Sequence, residues 1–263
     1  MKLTFLGTGT STGVPQLGCR CEVCMSDNPL DTRSRCSAVV ETGGRHLLID
    51  CGPDFYQQML RYDRFAHLDM AMLTHNHTDH MGGIDDLRPF CSPEGFPIYC
   101  APEVHADIKR RIPYSFAENP YPGVPHFDVR EISPFTRFEF EGVEICPLRV
   151  IHGKMPILGF RIGENLAYIT DASELPDETI NEIKGIDTLV INALRIEPHH
   201  SHMSLSESLS AINHINPRVA YLTHMSHQIG LHNKVERTLP PNVALAYDGM
   251  HIQIPSAAQN KKK

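Results

Sequence analysis

Residues 73–83, LTHNHTDHMGG, carry four potential metal ligands within six positions. The four side chains are His75, His77, Asp79 and His80. The preceding residues 69–74, DMAMLT, form an apolar run of strand length, so the cluster follows the end of a strand. Loops at strand ends are where rigid scaffolds hold reactive groups. Imidazole and carboxylate groups together suit zinc, manganese, iron or nickel, so the segment predicts a divalent metal site.

The spacing inside this cluster allows it to serve two ions. His75 and His77 alternate by two, so an extended segment can direct both side chains the same way. Asp79 and His80 lie past the turn and can face a neighbouring ion. Two ions need more than four ligands, so further ligands are expected elsewhere in the chain.

Three more candidate ligands follow apolar, strand-like runs. They are His152 after PLRVI, Asp171 after AYIT and His224 after VAYLT. A single histidine at such a position is often an ordinary hydrogen-bonded residue, and a single aspartate is often a helix cap. Their recurrence at three strand ends, beside the first cluster, favours a metal-binding role instead.

A second metal site is indicated near the start of the chain, where Cys19, Cys21 and Cys24 form C-x-C-x2-C. A closed tetrahedral zinc site of the structural type needs a fourth ligand. Cys36 and a distant histidine are both candidates, and His227 is preferred. It lies three residues beyond His224, so one turn can direct the two histidines to different sites.

Composition restricts the function classes. The chain has 263 residues with 41% hydrophobic and 21% charged residues, which is typical of a globular protein. Its net charge of −7 argues against non-specific binding to nucleic acid. No apolar run reaches the length of a membrane span, and the N-terminus lacks the apolar core of a signal peptide, so a cytoplasmic location is expected.

The order of predicted elements favours two sheets packed face to face with helices outside. One domain is expected over residues 1–263, with a small zinc-binding loop at 18–36 and a disordered tail at 257–263. Residues 113–136 are predicted to form an irregular loop or lid, and residues 138–145 and 148–151 two separate strands. Asp248 in the YDGM segment orients a ligand or substrate, or belongs to an Asp-Gly hairpin turn.

The segment THNHTDH matches HxHxDH, the signature of the metallo-β-lactamase superfamily of binuclear hydrolases, and the later His, Asp and His follow in that superfamily's order. The resemblance covers nearly the whole chain. It implies a four-layer αββα sandwich of the α+β class with the site at one edge. It also implies that one ion is held by His75, His77 and His152, the other by Asp79, His80 and His224, and that Asp171 bridges both.

The segment GVPQLGCRCEVC, together with THMSHQ and YDGM, is similar to the cyclic phosphodiesterase family of the carbon–phosphorus lyase pathway. A related cysteine motif occurs in a protein of pyrroloquinoline quinone biosynthesis, so the motif marks a subgroup. The resemblance implies a general-acid histidine at His202, and we place Asp79 beside it in the catalytic set. It also implies a structural zinc site formed by Cys19, Cys21, Cys24 and His227.

These features predict a binuclear phosphodiesterase that hydrolyses a small, cyclic ribosyl or nucleoside phosphodiester by attack of metal-activated water at phosphorus. The expected cofactors are two divalent ions, Zn²⁺ or Mn²⁺, and one structural Zn²⁺. The expected partner is the substrate alone, without membrane or nucleic acid, in a chain that the resemblance implies forms a homodimer.

Three different functions are also compatible with a metal site of this kind. A tRNA 3′-processing nuclease of the same superfamily would need a long basic arm, which this acidic chain lacks. A non-hydrolytic or cofactor-biosynthesis metalloprotein, related to the quinone pathway, would not need the acid at His202. Thioester or lactam hydrolysis is the third possibility.

Overall fold

The computed structural model describes residues 1–63, 66–119 and 121–255. The predicted disordered tail at 257–263 lies outside these residues. Two seven-stranded sheets form the centre of the fold. In the first sheet the strands, given with their bounds, are β1 Lys2–Gly7, β2 Ser37–Thr42, β3 Arg45–Ile49, β4 Met70–Met72, β5 Phe96–Cys100, β6 Phe127–Glu131 and β14 His251–Gln253. The second sheet contains β7 Phe138–Phe140, β8 Val143–His152, β9 Met155–Ile162, β10 Leu166–Tyr168, β11 Thr188–Asn192, β12 Val219–Thr223 and β13 Val243–Leu245.

The sheets have mixed topology, with the orders β14-β1-β2-β3-β4-β5-β6 and β13-β12-β11-β10-β9-β8-β7. Strands β3 to β6 run parallel in the first sheet, and β10 to β13 run parallel in the second. The described helices are α1 Phe55–Asp63, α2 Thr78–Met81, α3 Pro102–Arg111, α4 Asp177–Glu182, α5 Leu205–Ile215 and α6 His232–Glu236. The two sheets with flanking helices confirm the predicted αββα sandwich. No helix among the described residues has the length and apolarity needed to cross a bilayer.

The main core lies between the two sheets. Phe5 of β1, Phe160 of β9 and Tyr168 of β10 are fully buried in one apolar cluster that combines residues of both sheets. A second cluster joins the outer face of the second sheet to its helices, as in the packing of Leu189 with Ile212. Strands covered on both faces require continuous apolar sequence, which explains why β4 and β11 lack the usual alternation.

The parallel strands bring distant parts of the sequence to one edge of the sandwich. Carboxyl ends of parallel strands meet at a common edge, and the candidate ligands follow β4, β10 and β12 or end β8. The backbone of Leu158 donates a hydrogen bond to the carbonyl of Thr74 at 3.0 Å, which ties the two sheets together beside the ligand loop.

Two local expectations differ from the structure. Residues 113–136 do not form one irregular loop, because they contain a 3-10 helix at Pro113–Phe116 and strand β6, which pairs parallel to β5. The predicted strands at 138–145 and 148–151 are instead a short β7 and one long β8. A turn at Glu141 and Gly142, both with positive φ, separates them earlier than expected.

Candidate metal centre

The ligand segment of residues 73–83 continues from β4 and turns into the short helix α2. His75 lies in the extended part, and His77 is the residue that precedes the helix. One turn of helix then places Asp79 and His80 behind them, both buried. The change from extended chain to helix divides the cluster into two pairs of side chains.

The first group of ligands is built from the extended part of this segment and the end of β8. The ring nitrogens of His75, His77 and His152 lie within 4.8 Å of one another. The His77 ring is 4.6 Å from that of His75 and 5.1 Å from that of His152, measured between centroids. Three convergent imidazoles can hold a divalent ion.

The second group combines Asp79, His80, Asp171 and His224, whose ligand atoms also lie within 4.8 Å of one another. Nε2 of His80 lies 3.3 Å from Asp171 Oδ1, and Nε2 of His224 lies 3.2 Å from the same oxygen. The other Asp171 oxygen, Oδ2, lies 3.9 Å from His75 Nε2 in the first group. Asp171 therefore lies between the two groups, where a bridging ligand is expected.

The backbone at this site is strained at three buried residues. Asp50, Asp171 and His224 have φ angles of 60°, 56° and 55°, in the left-handed region that non-glycine residues seldom adopt. Each such residue costs of order 1–3 kcal/mol and persists only where the surrounding structure fixes it. Each of the three follows a strand of the sandwich, so the strain turns its side chain at the sheet edge.

The pattern of hydrogen bonds fits bound metal. Among the described residues, four buried ring nitrogens at this site have no hydrogen-bond partner: His75 Nε2, His80 Nε2, His224 Nδ1 and His224 Nε2. The opposite nitrogen of His80 is fixed to Asp50 Oδ2 at 2.7 Å, and that of His152 to the carbonyl of Ser201 at 2.7 Å. Metal-binding histidines usually donate their other N–H in this way, so the free nitrogens are left for ions.

The carboxylates of the site create an environment that stabilises cations. Burial disfavours the charged imidazole of His80, but the carboxylates of Asp171 and Asp50 outweigh it and raise the pKa of His80 well above its ordinary value. Burial by itself would raise the pKa of Asp171. The nearby imidazoles of His224 and His80 outweigh this effect and hold the pKa of Asp171 well below its ordinary range. Ionised carboxylates held in a buried site are stabilised by bound cations.

Asp50 is a site residue that the sequence analysis missed. It follows β3, is fully buried, and its side chain accepts hydrogen bonds from the backbone and hydroxyl of Thr74 as well as binding His80 Nδ1. Its signal was an aspartate directly after the apolar run LLI, the same signal that identified Asp171.

His202 lies beside the bridging residue. Its Nε2 is 3.1 Å from Asp171 Oδ2, and its ring stacks on His224 with centroids 5.2 Å apart. Burial lowers the pKa of His202 to about 4 in this arrangement of side chains. The structure thus places the predicted acid at the ligand cluster.

The cysteine loop forms a separate cluster. Nδ1 of His227 lies 3.4 Å from Cys19 Sγ and 3.2 Å from Cys21 Sγ, and the ligand atoms of these residues and Cys24 all lie within 4.8 Å. The contact with His227 lowers the pKa of Cys21 to about 6, which favours the thiolate that binds zinc. Cys36, the competing candidate for the fourth ligand, is instead buried against Tyr168 and Thr223.

Asp248 has no place in the metal centre. Its two carboxylate oxygens accept hydrogen bonds from the backbone and hydroxyl groups of Thr8 and Ser34. It therefore ties the glycine-rich loop after β1 to the chain that leads into β2, which is a structural role.

Comparison with known proteins gives a consistent family. Residues 45–225 match the model of the β-lactamase superfamily domain. The chain is 40% identical over 256 residues to a protein of Porphyromonas gingivalis named octanoyltransferase, an alignment that covers 97% of this chain and 52% of that protein. The chain therefore spans about half the length of this relative.

Two solved structures share the fold. A crystal structure described as a new diphosphatase from the PhnP family has a TM-score of 0.88 and 36% identity, covering 95% of this chain and 96% of that one. The zinc-bound PqqB of Methylobacterium extorquens has a TM-score of 0.79 and 20% identity, covering 96% of this chain and 100% of that one. At 20% identity, the second likeness shows the fold alone.

Proposed function

The chain belongs to the metallo-β-lactamase superfamily of metal-dependent hydrolases, and from that membership we propose that it is a binuclear phosphodiesterase for a small, cyclic ribosyl or nucleoside phosphodiester. The observation that carries the proposal is the position of His202, with Nε2 3.1 Å from the carboxylate that joins the two ligand groups. A proton donor at that point serves an oxygen leaving group at a reaction centre between the groups. The similarity to a diphosphatase also supports reaction at phosphorus.

The residues of the site would have different roles in hydrolysis. Two divalent ions, when bound, lower the pKa of water and offset negative charge at phosphorus. Asp171 sets the spacing of the two ligand groups, and Asp79 contributes a carboxylate to the second. We propose that Zn²⁺ or Mn²⁺ occupies this centre and that Zn²⁺ occupies the cysteine cluster.

His202 would supply the leaving-group proton. The oxygen of water forms a bond to phosphorus, the bond from phosphorus to the leaving oxygen breaks, and that oxygen takes a proton from His202 Nε2. The proton lost by water passes to solvent, and His202 regains its proton from solvent. A cyclic diester opens to one product that carries both the phosphomonoester and the freed hydroxyl, while an acyclic diester gives a phosphomonoester and an alcohol. The negative charge of a bound phosphodiester raises the pKa of an adjacent imidazole, which favours the protonated form in the complex.

The test is an assay with metal analysis. Purified protein with Mn²⁺ or Zn²⁺ is assayed on bis(p-nitrophenyl) phosphate, on p-nitrophenyl phosphate and on a diester with an alkyl leaving group. We expect turnover of the diesters, weak activity on the monoester, and about two exchangeable ions per chain besides one tightly held zinc.

The variant His202→Ala separates the acid from the rest of the site. It should lower turnover of the alkyl diester by roughly 10²–10⁴-fold, because a poor leaving group needs the proton. His200→Ala, which changes an exposed neighbour, is the matched control. A fully metallated protein without diester turnover would overturn the proposal.

The relative named octanoyltransferase favours a second candidate, hydrolysis of a medium-chain acyl thioester. That name describes a protein about twice as long as the matched region, so the activity is stated only of the whole relative. A cavity of about 470 Å³ is lined mainly by apolar side chains, among them Ile132, Ile151 and Leu158. Ile151 directly precedes His152 in the chain. Turnover of an octanoyl thioester, with none of the diesters, would select this candidate.

A cofactor-biosynthesis role and a tRNA substrate both receive less support. A role in cofactor biosynthesis without hydrolysis would not require His202 at the bridging carboxylate. The net charge of −7 argues against a tRNA substrate. We also propose that the chain forms a homodimer and needs no membrane, which sizing by light scattering with and without vesicles tests.

A further inference from the structure

The segment between β11 and α5 contains a chain of hydrogen-bonding groups that ends at His202. The Ser201 hydroxyl lies 3.0 Å from His202 Nδ1 and 3.2 Å from His199 Nδ1. The Ser201 backbone nitrogen lies 3.3 Å from the same His199 nitrogen. His202 Nε2, at the other side of its ring, faces Asp171.

The direction of two of these hydrogen bonds follows from groups that can play only one role. An N–H can only donate, so the Ser201 backbone makes His199 Nδ1 an acceptor. A carboxylate can only accept, so Nε2 of His202 donates to Asp171. The Ser201 hydroxyl lies between the two rings, and its contact with His202 Nδ1 is the shorter one.

We propose that Ser201 and His199 are positioning residues that contact Nδ1 of His202 and so hold its ring with Nε2 directed at the reaction centre. This inference rests on the proposed function of His202. In the absence of these contacts, the ring could rotate and present Nδ1 to the reaction centre, and Nε2 would no longer face the leaving oxygen.

The local packing shows that Ser201 is closely fitted. Its Cβ lies 3.3 Å from the position that a Cβ on Gly153 would take, and Gly153 has a φ of 62°. The backbone carbonyl of Ser201 binds Nδ1 of the ligand His152 at 2.7 Å. A side-chain substitution leaves this carbonyl in place, so the role of the hydroxyl can be tested apart from the ligand contact.

The test compares variants on two substrates that differ only in the leaving group, a p-nitrophenyl diester and an alkyl diester. For Ser201→Ala we expect kcat on the alkyl diester to fall about ten-fold more than kcat on the p-nitrophenyl diester, because only the alkyl group needs a well-placed proton. His199→Ala should show the same selective loss. Ser201→Thr, which restores the hydroxyl, should recover most of it.

An equal loss on both substrates, or none on either, would overturn the inference, because a merely structural residue does not distinguish leaving groups. The exposed neighbour gives the control variant His200→Ala.

A second measurement keeps the inference separate from the proposed function. Long-range ¹H–¹⁵N correlation spectra of the zinc-loaded protein report the chemical shifts of both His202 ring nitrogens, which respond to their hydrogen-bond partners. Ser201→Ala should move the Nδ1 resonance of His202, because Nδ1 loses its contact with the hydroxyl. If the protein hydrolyses no diester, the proposed function fails, while an unchanged Nδ1 resonance in Ser201→Ala would refute the positioning role itself.

Discussion

At the scale of single residues, the metal centre depends on side chains that bind no metal. Three threonines directly precede ligands at strand ends: Thr74, Thr170 and Thr223. All three are buried, and the hydroxyl of Thr170 donates to Asp171 at 2.7 Å. Such partners fix ligand orientation in advance, so their substitution weakens metal binding without removing a ligand.

Asp50 provides the clearest test at this scale. Asp50→Asn keeps an oxygen near Thr74 but removes the negative charge that faces His80 Nδ1. We expect affinity for the active-site metal to fall by roughly 10–100-fold, the range usual for partners of metal-binding histidines. Competition with a chromogenic chelator measures this change. Asp69→Asn is the control, since Asp69 also accepts a backbone hydrogen bond but lies away from the site.

The shifted pKa of His232 leads us to expect that the free energy of unfolding depends on pH. This effect does not involve the metal centre. Burial lowers the pKa of His232 to about 4, while an unperturbed histidine has a pKa of about 6.5. Between these values the unfolded state binds more protons than the native state. The free energy of unfolding therefore falls as the pH decreases through this window.

The variant His232→Asn keeps an acceptor for Arg33 Nη2, which lies 3.1 Å from His232 Nδ1, but cannot titrate. It should reduce the slope of stability against pH by up to about 1.4 kcal/mol per pH unit. Urea unfolding between about pH 7 and pH 4 gives the slope. Slopes equal to those of the wild-type protein would contradict the assignment, and His214→Asn, an exposed histidine, is the control.

At the scale of elements, the cysteine loop is a small unit with its own ligands. It carries Cys19, Cys21 and Cys24, yet its fourth candidate ligand, His227, lies just after β12. Because His224 lies in the cluster with Asp79, His80 and Asp171, the short segment between these histidines connects the two clusters. A metal in the loop would therefore stabilise the contact between the beginning and the end of the chain.

Cys24→Ser tests this element. We expect the variant to lose about one tightly held ion per chain, because a structural zinc site needs all four ligands. Its Tm should fall by roughly 2–4 °C for each kcal/mol of lost stability. Metal analysis measures the loss of the ion, and thermal unfolding measures the change in Tm. Cys91→Ser changes a cysteine outside the cluster, and an unaltered metal content in Cys24→Ser would rule out the site.

At the scale of the whole molecule, the metal centre joins the two sheets. Residues after β4 of the first sheet meet the end of β8 and the residues after β10 and β12 of the second. Within the described parts of the chain, Nε2 of His75, Nε2 of His80 and both ring nitrogens of His224 are buried without a hydrogen-bond partner. Metal binding should therefore stabilise the sandwich as a whole.

Removing the metal and adding it back measures this stabilisation. A metal ion present at about 100 times its Kd adds about 2.7 kcal/mol to the free energy of unfolding. Treatment with a chelator should lower Tm by roughly 5–10 °C, and Mn²⁺ or Zn²⁺ should restore it. His77→Ala, which removes a ligand on the exposed side of the site, should respond less to added metal. An unchanged Tm despite a measured loss of metal would show that the centre does not join the sheets energetically.

The sequence by itself determined where most members of both clusters lie. HNHTDH and C-x-C-x2-C each place several candidate ligands within six residues, so local spacing alone identifies them as candidates. Apolar runs before His152, Asp171 and His224 also identified strand ends, because burial on both faces of a sheet requires such runs. The extent of the chain as one domain stays a prediction.

Only the tertiary structure decided which strand ends meet. It placed Asp50 behind His80, assigned His227 rather than Cys36 to the cysteine cluster, and gave Asp248 a structural role. It also placed the Ser201 hydroxyl between the rings of His199 and His202. These outcomes depend on contacts between distant segments, and local sequence patterns carry no information about the order of strands across a sheet.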